Sequence, residues 1–324
     1  MKVRFILPAF LSLAAYSLAA LGQPAPYPNR PIKIVVPYSP GTGSDVVART
    51  IGKVVSEKAG QPVVVENRDG GGSLLGTMVV AKAPADGYTL LIAANPFVIV
   101  PSTHLKPPYD PLKDFVPVAK VGVIPLVLAA ASNAPFTSVK ELVAYAKANP
   151  GKLSYASSGA GTISQQEMEL FKQAAGLDIV EVGYKSTAQA MTDVLGGQIA
   201  LFPVVVPLVM PHIKSGRVRA LGLFDTRPSA VFPEIPLIAD QLGVAGYTPT
   251  PVWYGFMAPA GTPHEALTTL NGLFHTAAQS AEVKERLAAI GAQSSTPTNE
   301  QFTAELKAEY EKAAKVAKML GTAK

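Results

Sequence analysis

Val36-Pro37-Tyr38-Ser39-Pro40-Gly41-Thr42-Gly43-Ser44-Asp45 decides the fold. The apolar run Ile32-Lys33-Ile34-Val35-Val36 before it reads as a buried strand. After it, Val46, Val47, Ile51, Val54 and Val55 recur on one face of a helix. A turn of small residues therefore feeds a strand directly into a helix N-terminus. The first amides of such a helix have no partner within it, and the helix dipole adds positive charge there, so the turn is prepared for an anion. Tyr155-Ala156-Ser157-Ser158-Gly159-Ala160-Gly161-Thr162 repeats the arrangement more than a hundred residues downstream. Two such turns predict two lobes closing on one small acidic molecule.

The Gly41/Gly43 turn is not a dinucleotide fingerprint, because Val46 stands where the third glycine belongs. It is not a Walker loop either, since no Gly-Lys-Ser/Thr follows. As a bare pattern it is equally a tight strand–helix connection.

The start of the chain reads as a leader. Lys2 and Arg4 precede an apolar stretch from Phe5 to Leu21, and Ala20-Leu21-Gly22 offers small residues for cleavage, with a cut after Ala19 as the alternative. Residues 1–22 are expected to be a signal peptide, and the remainder a periplasmic protein without a lipid anchor. Cysteine is absent from the 324 residues, which rules out disulfides, a thiol nucleophile and Cys–metal sites. The formal charge is +5, from 28 basic and 23 acidic residues; without Lys2 and Arg4 the balance is 26 against 23. The basic residues are scattered, so nucleic acid is not an expected partner.

Strand and helix patterns alternate along the chain. They predict an α/β protein of two lobes, each a mostly parallel sheet flanked by helices, joined by two extended crossings. Lobe one is expected to be discontinuous, 23–125 with 250–324, and lobe two to span 126–249. Strands are expected at 32–36, 63–65, 88–93, 126–131, 153–157 and 178–182. Helices are expected at about 45–59, 73–82, 139–148, 163–175 and 188–195, and three more after Pro263. Ser138 with Glu141, and Thr298 with Gln301, have capping-box spacing.

A set of short segments makes the chain resemble a known family. They are Tyr27-Pro28-Asn29-Arg30-Pro31, Val36-Pro37-Tyr38 with Pro40-Gly41, Val65-Glu66-Asn67-Arg68, Ala85-Asp86-Gly87-Tyr88-Thr89-Leu90 and Tyr109-Asp110-Pro111-Leu112-Lys113-Asp114-Phe115. Further along come Tyr155-Ala156-Ser157-Ser158-Gly159, Tyr184-Lys185, Leu195-Gly196-Gly197-Gln198, and Trp253-Tyr254-Gly255 with Ala258-Pro259-Ala260-Gly261-Thr262-Pro263. In this order, from about Tyr27 to about Gly321, they resemble the periplasmic receptors of tripartite tricarboxylate transporters, the Bug-type or TctC-like solute-binding proteins. The resemblance implies a two-lobed binding fold that captures a small organic acid and passes it to integral membrane permease subunits. It implies a ligand held by Ser39, Gly41, Thr42, Gly43, Ser44 and Asp45 from one loop, and by Ser158, Gly159, Ala160, Gly161 and Thr162 from the other. A monomer without cofactor or metal is expected. The chain departs from the family pattern at Gln165, where many relatives carry His, and at Val204-Val205, where many carry Asp-Asn. An apolar wall there disfavours a ligand with an ammonium group, which would be buried unpaired.

Other residues carry two readings each. Asp45 either caps its helix or meets the ligand, and Gln165 does the same in lobe two. Tyr38 either walls the cleft or packs between lobes. Asn95 and Phe97 end a strand at the carboxyl edge, where ligands of α/β sheets tend to sit. Ser186 follows a lobe-two strand and has a hydroxyl to donate. Val204 completes the candidate set. Catalysis is not expected: His104, His212, His264 and His275 lack metal-ligand spacing, and Ser44 lacks a nucleophile elbow. A receptor feeding a membrane sensor is the alternative to transport.

Overall fold

The computed structural model of the chain describes residues 27–103, 106–159, 161–184, 186–245 and 247–321. The expected leader 1–22, Ala160 and Lys185 lie outside the described residues. In chain order the first elements are β1 (Ile32–Val36), α1 (Gly43–Ala59), β2 (Val63–Asn67), α2 (Leu74–Ala81), β3 (Thr89–Ala93), α3 (Pro96–Ser102) and β4 (Phe115–Ile124). Then come β5 (Leu126–Ala131), α4 (Val139–Ala148), β6 (Ser154–Ser157), α5 (Ile163–Ala175), β7 (Val180–Gly183) and α6 (Thr187–Leu195). After these follow β8 (Leu201–Val205), α7 (Val206–Lys214), β9 (Val218–Phe224) and α8 (Ile238–Leu242). The last are β10 (Val252–Pro259), α9 (His264–Gln279), α10 (Ala281–Ala289), β11 (Gln293–Ser294) and α11 (Asn299–Met319).

Two sheets result, a six-stranded one ordered β11-β4-β10-β3-β1-β2 and a five-stranded one ordered β7-β6-β8-β5-β9. The α/β architecture agrees with the sequence reading, but the sheets are mixed rather than mostly parallel. β1 runs parallel to β2 and β3, while β10 runs against both β3 and β4. In the other sheet β6 is parallel to β7 and β8, while β5 runs against β8 and β9. The cause is the path of the chain between sheets. β4 leaves the first sheet at its carboxyl end and, after Pro125 alone, continues as β5. β5 thus enters its sheet at the end where β8 finishes and must run against it. β10 returns to the first sheet by the same kind of entry.

Each sheet is buried on both faces. α1 turns Val47, Ala48, Ile51, Val54 and Val55 onto Ile34, Leu90 and Phe256, with Phe274 of α9 beside them. The opposite face carries α2, α3 and α11 over Val35, Leu91 and Met257, with Phe97, Trp253 and Phe302 in the same cluster. α1 ends at Gly60, whose φ of +64° is the left-handed stop that glycine adopts without a Cβ penalty. Thr298 and Gln301 form the full capping box at α11. At α4, Ser138 accepts from the Glu141 amide at 3.2 Å, but the Glu141 carboxylate turns to Thr137 instead. α7 contains Pro207 and Pro211. Prolines remove helix donors, which is why this helix left no pattern in the sequence.

Candidate functional site

The two loops singled out by the sequence share one hydrogen-bond design. In the first, the Gly41 amide donates to Asp45 Oδ2 (3.0 Å) and Thr42 Oγ1 donates to the Ser39 carbonyl (2.9 Å). In the second, the Gly161 amide donates to Gln165 Oε1 (3.1 Å) and Thr162 Oγ1 donates to the Gly159 carbonyl (2.6 Å). Gly41 and Gly161 have φ of +83° and +78°, a backbone that glycine adopts freely. Each threonine is the N-cap of its helix, α1 or α5, yet neither side chain caps it. An N-cap threonine ordinarily accepts from the first-turn amides. Here both hydroxyls face the preceding carbonyl, and the first-turn amides of both helices are left to an external acceptor.

Asp45 and Gln165 therefore brace their loops from inside. Asp45 is 5% exposed and accepts from Arg49 Nε at 3.0 Å and from Asn67 Nδ2 at 2.9 Å as well as from Gly41. Burial alone would raise its carboxyl, but the hydrogen bonds from Arg49, the Gly41 amide and Asn67 outweigh it and hold the group below its ordinary value. Gln165 passes its amide to Glu181 at 3.0 Å, and Glu181 also accepts from Ser157 Oγ at 2.5 Å. Ser164 supports the same loop by accepting from the Ser158 amide at 3.1 Å, and the Gly159 amide donates to Ser157 Oγ at 3.1 Å.

An Asp45→Asn variant is expected to lose about 1–2 kcal/mol of stability at pH 7, because a charge-assisted network becomes a neutral one. The sign with pH follows from the lowered carboxyl. Its contribution is present above the unfolded-state value near 4 and is lost as pH falls through the folded value. Urea unfolding at pH 7 and pH 3 should therefore show a smaller gap between parent and variant in acid.

The remaining candidates separate. Ser39 is exposed and its hydroxyl bonds to the Asp69 carboxylate. Gly43 lies against the Tyr254 hydroxyl, which would collide with any Cβ there. Ser44 is 5% exposed at the start of α1. Tyr38 lends its carbonyl to Asn67 at 3.0 Å, while its ring is half-buried and packs against the core of the six-stranded sheet. Ser186 is exposed at the N-cap of α6.

Three candidates are built into the protein's interior. Phe97 stacks on Tyr109 and meets Phe115 edge-on in the core. Asn95 donates to Glu309 Oε1 at 2.7 Å and to the Pro251 carbonyl at 3.1 Å. It does not end a strand; it is the N-cap of α3, a helix announced by Pro96 at its first position. Val204 faces the apolar cluster under α6 and α7, and Val205, half-buried, packs against the cores of both sheets from the opposite face. Side chains alternate along a strand, so the two valines face opposite sides of the sheet.

The sequence reading assigned no role to Arg49, Asn67, Glu181, Ser164 or Tyr254. Asn67 was visible within Val65-Glu66-Asn67-Arg68, but its reach to Asp45 depends on β2 lying beside β1.

The two halves touch. A Cβ added at either Gly161 or Gly72 would meet the side chain of Val100 in α3 at 3.7 Å. Ile163, the first residue of α5, packs against the cluster that holds Phe97.

Residues 47–322 match the family model described as the tripartite tricarboxylate transporter family receptor. The chain belongs to this receptor family. Among curated relatives, BugT of Bordetella pertussis is 38% identical over 289 residues, covering 87% of this chain and 88% of that one. Three of the solved structures that share the fold bear on the family and its ligands. Periplasmic binding protein BugD is 31% identical with a TM-score of 0.72, covering 92% of this chain and 99% of its own. Rpa4515 of R. palustris, solved with adipate, is 33% identical with a TM-score of 0.74 and coverage of 90% and 98%. MatC of Rhodopseudomonas palustris, solved with bound malate, is 27% identical with a TM-score of 0.72 and coverage of 90% and 100%. Members of the family are two-lobed periplasmic solute-binding receptors, not enzymes.

Proposed function

We propose that this receptor captures a small organic carboxylate between the Gly41 and Gly161 loops and delivers it to the permease subunits of a tripartite transporter. The observation that carries the reading is the pair of helix N-termini whose N-cap threonines turn away, leaving first-turn amides for an outside anion. Lobe one is assigned to 23–125 with 250–324, and lobe two to 126–249. Closing one on the other brings both sets of donors to the carboxylate, in charge-assisted bonds that are short and strong. The periplasmic binding proteins of the family and the leader-like sequence of residues 1–22 support a periplasmic location. Tyr254 adds a side chain to the first loop. Its hydroxyl sits against Gly43 at the mouth of α1, placed to donate to the same ligand. The reading is a mono- or dicarboxylate; the adipate and malate seen in relatives support a dicarboxylate, and half-buried Val205 favours a hydrocarbon body.

A thermal-shift screen tests this. Adipate, malate, citrate, benzoate, glutamate and adipamide would each be added to the purified chain. A ligand at a hundred times its Kd adds about 2.7 kcal/mol, a rise of several degrees in Tm. One or a few carboxylates should reach it, while adipamide, which lacks the charge, should not. Equal shifts from adipate and adipamide, or none from any acid, would overturn the reading.

A further inference from the structure

We propose that the junction between the two halves holds a proton site, formed by Glu167 on α5 and Glu309 on α11, and that packing these helices together takes up one proton. Glu167 is 0% exposed, and its carboxylate oxygens have no close hydrogen-bond partner, with only the Thr250 backbone and the Gln166 side chain as polar groups beside them. Glu309 is 3% exposed and fully engaged, accepting from Asn95 Nδ2 at 2.7 Å and Trp253 Nε1 at 2.5 Å. An ionised carboxylate left bare in the interior is very costly, whereas a protonated one is merely polar.

The groups facing the pair supply too little positive charge. From α11 comes Lys312, whose ammonium is occupied by the Thr248 carbonyl (2.7 Å) and Thr250 Oγ1 (2.9 Å). From β4, Lys120 acts on Glu309 but is itself bound to Glu305 at 2.6 Å. From α5 there is the neutral Gln166, and from the crossing the Thr250 backbone and the neutral Tyr247. The amide of Gln166 and the hydroxyl of Tyr247 are likewise buried without partners. Two acids thus share one nearby ammonium, and the balance closes when one acid keeps its proton. Burial pushes both carboxyls up, Glu167 to about 8 and Glu309 to about 7, so Glu167 is the acid that holds its proton longest as pH rises.

A cavity of about 950 Å³ beside the junction, lined by Lys120, Asp225, Thr250, Glu309 and Lys312 among others, reaches the pair at Glu309. Glu167 lies on the same helix whose first turn follows the Gly161 loop, so the proton site and the candidate ligand site share one rigid element. Separating α5 from α11 would hydrate Glu167 and return it to an ordinary carboxylate. The packed form then holds an extra proton between the ordinary value near 4.5 and about 8. Its population falls by up to about tenfold per pH unit across that window and is level outside it.

Two arms test the proposal. Urea unfolding of the unliganded wild type and Glu167→Gln between pH 5 and 9 needs no ligand. Wild-type stability should fall as pH rises to about 8, because the native state gives up a proton that the unfolded state has already lost, while the variant should be flatter. Superimposable pH curves would overturn the site. The second arm rests on the carboxylate-receptor reading. Calorimetric titration with adipate at pH 7, in phosphate and in Tris, should show a buffer-dependent heat from proton uptake in wild type and a smaller one in Glu167→Gln. Binding with buffer-independent heat would overturn the coupling to closure. If neither adipate nor any acid of the screen bound, the carboxylate reading would fail and the unfolding arm would still decide the proton site.

Discussion

Phe97→Ala is expected to lower the folding stability by about 3–5 kcal/mol and to leave carboxylate affinity within about twofold. The ring is 1% exposed, with centroids 5.7 Å from Tyr109 and 5.1 Å from Phe115. The Tyr109 hydroxyl donates to the Phe97 carbonyl at 2.8 Å, so the ring and the backbone of α3 are fixed by the same neighbour. Truncation would empty a space enclosed on all sides, and a cavity among packed aromatics collapses poorly. Urea unfolding measures the loss, and calorimetry with a carboxylate found by the screen measures the affinity. A large drop in affinity with unchanged stability would put Phe97 in the ligand cleft instead of the core.

Gly76→Ala is the second large effect. A Cβ on Gly76 would lie 2.7 Å from both Cα and Cβ of Pro37 and 2.8 Å from the Arg68 carbonyl oxygen. Two of these atoms belong to backbone, which cannot rotate aside as a side-chain tip can. The helix α2 would have to withdraw or Pro37 would have to move. Overpacking of this kind costs about 1–3 kcal/mol, occasionally more. Pro37 precedes Tyr38 and the Gly41 turn, so the displacement should also reach the first loop and weaken carboxylate binding. Gly272→Ala makes the control, since a Cβ there meets nothing within 4 Å. Equal stability of the two variants would show that α2 is not held tightly against the loop.

What the sequence revealed and what it hid follow from the range of the interactions involved. β1, the Gly41 turn and α1 were legible because strand, turn and helix each have a local pattern. α5 was legible to the residue, Ile163–Ala175, since Thr162 and Gly176 punctuate it. Strand direction was not legible: nothing within Val252–Pro259 says that this strand runs against β3. The bracing of Asp45 by Asn67 joins residues 22 apart, and that of Gln165 by Glu181 joins residues 16 apart. Both exist only once neighbouring strands are in register. Thr162 and Gln165 had the spacing of a capping box, but the Gln165 oxygen went to the Gly161 amide, a choice set by the turn geometry. Phe97 looked available for a ligand because its strand-end position is local information, whereas Tyr109 and Phe115, which enclose it, are not.

The direct passage from β4 to β5 has a mechanical consequence. Pro125 is the whole connection, and its carbonyl is held by the Val206 amide at 3.2 Å. A ring that fixes φ leaves essentially one free torsion there. A link of one residue with one torsion cannot lengthen, so it admits no sliding of one half along the other. It behaves as a pivot rather than a tether. Relative movement of the sheets then centres on that point, with the longer return crossing between α8 and β10 taking up the arc on the far side.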